Sequence, residues 1–344
     1  MQTVEQTARR RKSNAEKFLV LMLGGGVILA ALSFLFLRFG AESLSLSDIL
    51  NAFFAFDEGE FKHVIARDIR LPRLLADIIV GVSLAVAGAV MQGNTKNPMA
   101  DSGIMGISAG SVFAIVLMMA FLPDASRLER IGYSCLGALA ATLLIYGVAL
   151  LGHTGRSADR MVLSGMAIST LFSSVSSAVI LKSGNVNAMM KYTAGSSANT
   201  IWLDVGLSAP FFAAGLIAAL VMARSLTIMG LGDEVSRELG ANTRLIRLVG
   251  TIVVLVLGAI AVIIIGPVGY VGLMVPHIVR HIVGTDYRLI LPSCAVLGAV
   301  LVVLVDLLAR VIIAPLEFPV GILITMIGVP FFIFVSRRQR GTFS

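Results

Sequence analysis

Gly230-Leu231-Gly232-Asp233-Glu234-Val235-Ser236-Arg237-Glu238-Leu239-Gly240-Ala241-Asn242-Thr243-Arg244-Leu245-Ile246-Arg247 is a charged island between two long apolar runs, residues 205–223 and 248–265. Asp233 is suited to N-cap a short helix over 234–239, acidic residues occupy its first turn, and Gly240 stands where a left-handed C-cap would end it. Thr243 is placed to cap a second helix that carries Arg244 and Arg247 and continues into the apolar run. Val235, Leu239 and Ile246 are spaced to share a face. The island therefore reads as a short amphipathic helix across the mouth of a membrane domain, with apolar anchors inside a charged rim. An ordinary solvated loop fits the charges as well.

Outward from the island, composition fixes the class. Hydrophobic residues make up 57% of the 344 and charged residues 14%, with a mean hydropathy of +0.93; soluble domains carry about 25% charged residues. The charge-free windows 18–37, 104–122, 131–151, 161–181 and 205–223 are each about the 20 residues a helix needs to cross a bilayer. Five more spans are expected at 74–91, 248–265, 269–283, 289–305 and 319–335. The fold class is thus all-α, a polytopic membrane protein of about ten transmembrane helices. The runs lack the alternation of barrel strands.

An even span count puts both ends on one side, and both are basic: Arg9, Arg10, Arg11 and Lys12 at the start, Arg337, Arg338 and Arg340 at the close. With both termini cytosolic, the 27 Lys and Arg divide into 17 inside and 10 outside, the positive-inside pattern. The net charge of +7 then reflects topology, and nucleic acid is not an expected partner. The chain is read as a single domain over 1–344. It comprises a basic amino-terminal segment, 1–17, and a membrane domain, 18–336, with the charged helix at 233–240. Cys135 and Cys294 lie in apolar runs and read as packing, not as a disulfide framework.

The second expected span ends in a polar turn containing Asn97 and Pro98, and Gly106 and Gly110 then form a small-xxx-small pair. A second interruption, at Gly266, Pro267 and Gly269, breaks a later run in the opposite orientation. Two such breaks suggest a weak inverted internal repeat lining a path, although packing kinks would look the same. Arg70 and Arg73 stand at the expected start of the second span, where cations oppose the helix dipole, and snorkelling to headgroups would also account for them. Asp77 and Asp306 fall toward span ends, where water would relieve their cost. No Asp, Glu and His relay crosses the membrane, which argues against an ion-coupled carrier. His277 and His281 are four apart but have no carboxylate or thiol nearby, so no metal site is expected. The fifteen Met residues read as core. Phosphate loops, nucleophile elbows and His-Glu-x-x-His are all missing, so no catalytic residue is expected and energy must come from another chain.

These residues resemble the FecCD-type permeases of bacterial ABC importers for iron-siderophores, haem and cobalamin. Leu231 to Gly240, Arg70-Leu71-Pro72-Arg73, Gly88 to Gln92, Asn97-Pro98-Met99-Ala100, Gly106 to Gly110, Gly272 to Arg280 and Pro319 to Ile322 match its motifs in order. The resemblance implies a permease subunit in the bacterial plasma membrane, with no cofactor, that pairs with a like subunit around the path. A cytosolic ATPase dimer would couple at Asp233, Glu234, Val235, Arg237, Leu239 and Gly240. A substrate-binding protein would dock outside on Arg70, Arg73 and Arg310. Iron-siderophore complexes are the expected cargo, with haem or cobalamin as alternative, and an ion-coupled secondary transporter as the rival class. The chain departs from the family pattern at Ser236, where Ala is more frequent, and at Tyr192, where Trp is.

Overall fold

The computed structural model describes residues 2–40, 42–101, 106–150, 158–183, 186–312 and 317–340, all helix or connection. The expected span 104–122 begins, and the span 131–151 ends, partly outside the described residues. In chain order the helices are α1 Gln2–Arg38, α2 Leu46–Phe54, α3 Phe61–Val64, α4 Leu71–Thr95, α5 Ile107–Phe121, α6 Arg127–Leu150 and α7 Ala158–Lys182. They continue with α8 Val186–Thr193, α9 Trp202–Met229, α10 Asp233–Glu238, α11 Thr243–Ile265, α12 Val271–Val283, α13 Tyr287–Val311 and α14 Val320–Arg340. Each of the ten expected spans coincides with one of these helices. Seven helices are long and apolar enough to cross a membrane; α5, α12 and α14 are shorter apolar helices.

Helix α4 sits at the centre, packed by α13, α11, α12 and α9. Close approach depends on missing side chains: a Cβ on Gly81 would strike the Gly298 carbonyl of α13, and one on Gly88 the Gly272 carbonyl of α12. Gly110 of α5 meets Gly137 of α6 in the same way. Small residues facing one another let helices gain dispersion contacts that lipid cannot supply.

Between α3 and α4 the chain does not break. A π-helical turn, Ile65–Arg70, joins them, and the Leu71 amide donates to Ala66 O. Pro72 follows at once; it lacks an N–H and its ring crowds the preceding turn, which a widened turn accommodates. Arg70 and Arg73 therefore lie within a continuous helix and not at a helix start, so the expected dipole conflict does not arise.

Candidate functional site

At one end of α4 lies a buried charge cluster. The Arg73 guanidinium donates from Nε and Nη2 to the two Asp306 carboxylate oxygens at 2.8 and 2.7 Å, and from Nη1 to Glu317 at 2.7 Å. Its Nε also reaches Ser197 Oγ at 3.2 Å. Asp77 and Asp306 are fully buried, which corrects the expectation that water relieves them. The Arg73 fork and the nearby Arg310, 3.8 Å from Asp306, compensate the charge instead.

Arg70 and Arg310 close the C-terminus of α1. Arg70 Nη1 donates to the Leu37 and Arg38 carbonyls at 2.6 and 3.1 Å and Nη2 to Glu42 O. Arg310 stacks over the Phe36 ring at 3.6 Å and donates to Phe36 O. Carbonyls of a last helical turn have no partner within the helix, and a guanidinium fork satisfies several at once. The three arginines of the expected docking site are all at least 94% buried and engaged inside the chain.

At the other end of α4 sits α10. Asp233 is its first residue and not its cap; Gly232 takes that position, with no side-chain bond. The Asp233 carboxylate accepts instead from Lys96 Nζ at 2.8 Å and from Arg247 Nη2 at 2.9 and 3.0 Å. The hydrogen bond from Lys96, with Arg247 beside it, holds this carboxyl below the usual carboxylate range. Lys96 ends α4 in the left-handed conformation, so α4 and α11 both brace α10. Gly240, at φ 77°, ends α10 as expected, with the Ala241 amide returning to Ser236 O at 2.9 Å. Asn242, not Thr243, caps α11 through Leu245 N at 3.1 Å. Ser236 is buried and bonded to Ile228 O, while Leu231, Val235, Leu239 and Leu245 are exposed, as are Glu234 and Arg237.

Between the two ends a cavity of about 490 Å³ opens among α5, α7, α14 and the break between α11 and α12. Pro267 and Gly269 line it, as do Val268 and Tyr270. The break is built from left-handed residues, Gly266 at φ 89° and Tyr270 at φ 68°. It is knotted to two other segments: Ser196 N donates to Ile265 O at 2.8 Å and Gly321 N to Gly195 O at 3.1 Å. A Cβ on Gly195 would press on Pro267 O and Gly321 Cα. Tyr192 donates to Val262 O at 2.7 Å, a bond that its indole-bearing counterpart would have to reach differently. Gly106, at φ 79°, starts α5 beside the cavity, and Gly110 is taken up by the α6 contact. Asn97 and Pro98 lie in the turn after α4, where Asn97 Oδ1 accepts from Met99 N at 2.9 Å; residues 102–105 lie outside the described residues.

Sequence reasoning missed most of the lining. Ser169, Ser173, Ser176 and Ser177 recur at the spacing of one helix face and turn to the cavity with Ser108, Thr193 and Thr325. A polar stripe of helical period in an apolar span was the available signal. Ser197 and Glu317, which tie Arg73 to the knotted segments, carried no comparable signal. The His277 and His281 rings lie 4.6 Å apart, tilted by 47°, with His281 Nδ1 2.8 Å from His277 O, and no metal-holding group of His, Cys, Asp and Glu occurs among the described residues.

Comparison with known proteins places this architecture. The model of the FecCD transport family matches residues 28–338. The chain is 38% identical over 321 residues to the iron(3+)-hydroxamate import system permease protein FhuB of Bacillus subtilis, covering 93% of this chain and 84% of that one. It is also 38% identical to the Fe(3+)-citrate import system permease protein YfmD of the same organism, covering 97% and 98%. The hemin transport system permease protein HmuU of Yersinia pestis is 34% identical over 94% and 95%. A solved structure described as an inward-facing metal-chelate type ABC transporter superposes with a TM-score of 0.79 at 26% identity, covering 92% and 98%. A braced surface helix, a cavity at a broken helix and a match along nine-tenths of the sequence coincide in one chain, a multi-pass membrane protein that belongs to the FecCD transport family.

Proposed function

We propose that the chain is a permease subunit of a binding-protein-dependent ABC importer that carries iron-siderophore complexes across the plasma membrane into the cytoplasm. Relatives named for iron(3+)-hydroxamate and Fe(3+)-citrate import support the cargo class. The observation that carries the coupling is the surface around α10: Val235 on the helix, Leu231 and Leu239 at its two ends and Leu245 at the start of α11 stand exposed, and α10 is fixed by charge to Lys96 after α4 and to α11. Exposed apolar anchors on a braced helix suit a groove in another protein, here an ATPase dimer that hydrolyses ATP on this chain's behalf. All ten apolar helices cross the membrane, both termini are cytosolic, and a second permease subunit completes the path. The substrate-binding protein docks at the Arg73 end. There Arg70 and Arg310 hold the surface from beneath, and the Glu317 side chain, 40% exposed on its Arg73 partner, is what an incoming group meets first.

Leu239→Asp tests the coupling. A carboxylate forced into an apolar groove costs several kcal/mol unless paired. In proteoliposomes with the ATPase and binding protein, chelate uptake should fall to background, while the chain's folded yield stays at the wild-type level because Leu239 is exposed. Wild-type uptake by this variant would place the coupling elsewhere.

A further inference from the structure

The cavity wall sorts its hydroxyls into two kinds. Resting on the reading of the cavity as part of the import path, we infer that Ser108, Ser169 and Ser176 form a hydrogen-bond-donor face that holds the chelate by its surface acceptor oxygens. These three side chains then set specificity for chelates rich in amide carbonyl and hydroxamate oxygens.

Bonding within the chain divides the wall. Ser177, Thr193 and Thr325 line the cavity, and each donates to a carbonyl of its own helix, at 2.9, 3.1 and 2.8 Å. A hydroxyl has one hydrogen to give, so these three face the cavity as acceptors only. The Ser108, Ser169 and Ser176 hydroxyls line the same cavity, are buried, and have no hydrogen-bond partner, so their hydrogens remain to be given. Ser108 and Ser176 are only 6% and 4% exposed. Ser169 and Ser176 stand seven positions apart on one face of α7, about 10 Å along the helix. Ser108 is in the first turn of α5, and Ser169 Oγ lies beside Gly106 at the start of that helix, 3.3 Å from where a Cβ would stand. First-turn amides have no carbonyl partner within their own helix, and the positive end of the helix dipole falls there. The start of α5 and the serine face of α7 therefore meet in one donor-rich wall.

That division fixes the ligand class. A buried hydroxyl left unbonded is costly, and a ligand oxygen that accepts from it recovers the loss. Iron(III) trihydroxamates carry such oxygens, both in the iron-bound hydroxamates and in amide carbonyls. A ligand of equal size that turned only C–H surface to this wall would leave the three hydroxyls unbonded. Sites built to hydrogen-bond a ligand reject analogues that lack the matching group.

The test uses the purified permease–ATPase complex without binding protein, and an uncharged iron(III) trihydroxamate as probe. In a chain with Cys135 and Cys294 replaced by Ala, Ser173→Cys puts a reporter thiol at an exposed lining position. Protection of that thiol from maleimide is followed against chelate concentration. Adding Ser108→Ala, Ser169→Ala or Ser176→Ala should each raise the half-protection concentration about fivefold, the loss of one neutral hydrogen bond. Ser177→Ala removes a hydroxyl whose hydrogen is already given, and should stay within about twofold of the parent. Without chelate, Ser176→Ala should melt no lower than its parent, because it deletes an unbonded hydroxyl. A lower melting temperature there would mean a partner within the chain and overturn the inference. Unchanged half-protection in all three Ala variants, or an equal loss in Ser177→Ala, overturns the donor face and leaves the path reading standing. No protection in the parent, while the complete importer still takes up iron, overturns the path reading and the inference with it.

Discussion

Helices α4 and α7 are equal in length, 25 residues each, and opposite in surroundings. In the apolar segment containing α4, 89% of the most hydrophobic stretch is buried inside the chain; in that of α7, 22% is. Helix α4 meets its neighbours backbone to backbone, at Gly81 and Gly88, and keeps Arg73 and Asp77 in a buried charge cluster at one end. Helix α7 turns a stripe of serines to a cavity and leaves Leu163, Met166 and Leu171 bare. The contrast separates two jobs. Residues of α4 are constrained by what they touch within the chain, whereas most of α7's apolar stretch is left open to what lies outside it.

The sharpest way to break this contrast is to remove the charge at the centre of the cluster. Asp306→Ala removes the carboxylate that Arg73 and Arg310 share, leaving Arg73 only Glu317 and the nearby Asp77, and breaking a buried pair from one side costs about 3–5 kcal/mol. The variant should lose most of its folded yield in detergent, measured by size-exclusion chromatography after mild heating. Ser173→Ala on α7 should stay within about 0.5 kcal/mol of the parent. Equal heat resistance of the two would remove the distinction drawn between the helices.

A single methyl group offers a finer test. Gly88→Ala drives a Cβ into the Gly272 carbonyl, and overpacking of this kind costs about 1–3 kcal/mol. Gly132→Ala on α6 meets nothing within 4 Å and replaces the poorer helix former, so it should be neutral or slightly stabilising. The order of the two melting temperatures checks it; a stable Gly88→Ala chain would mean that α4 and α12 can part without loss.

The smallest expected effect lies at α10. Its Asp233 carboxyl is held below the ordinary range by Lys96 and Arg247, so the pairing contributes stability above the ordinary carboxylate pKa of about 3.9 and loses it as pH falls through the depressed value. The group is 38% exposed, which limits the contribution to a few tenths of a kcal/mol, on the order of a surface pair. Amide exchange in α10, corrected for intrinsic rates, should quicken on acidification in the parent and not in Asp233→Asn. Identical pH profiles would remove the pairing as a brace.

The long apolar helices were legible from run length because crossing a bilayer demands about 20 apolar residues, a length that seven of the helices reach. Gly240 was legible because a left-handed helix end has few alternatives. What escaped were features set by long-range partners. Asp233 was read as a cap because capping is local, yet it bonds Lys96, 137 positions away, and Arg247. For Arg70 and Arg73 the sequence places cations near a span end without revealing that Leu37 O, Arg38 O and Asp306 wait there. Their burial is a property of the assembled chain. The serine stripe lay in plain view and needed only its period counted.

Helix α4 also has a mechanical meaning. Arg73 and Lys96 stand 23 residues apart on one unbroken rod, about 35 Å by helical rise. One is tied to Ser197 and Glu317 beside the knotted segments, the other to the brace of α10. A rod clamped by backbone contacts along its length has little slack, so it transmits displacement and does not absorb it. Compliance is left to the corners where glycines bend the chain, Gly195 and Gly266, a few residues from the cavity wall. If α10 couples to an ATPase as proposed, a stroke delivered there would emerge as a change of angle at those corners, its travel set by the geometry of the joints and not by the softness of the helix between.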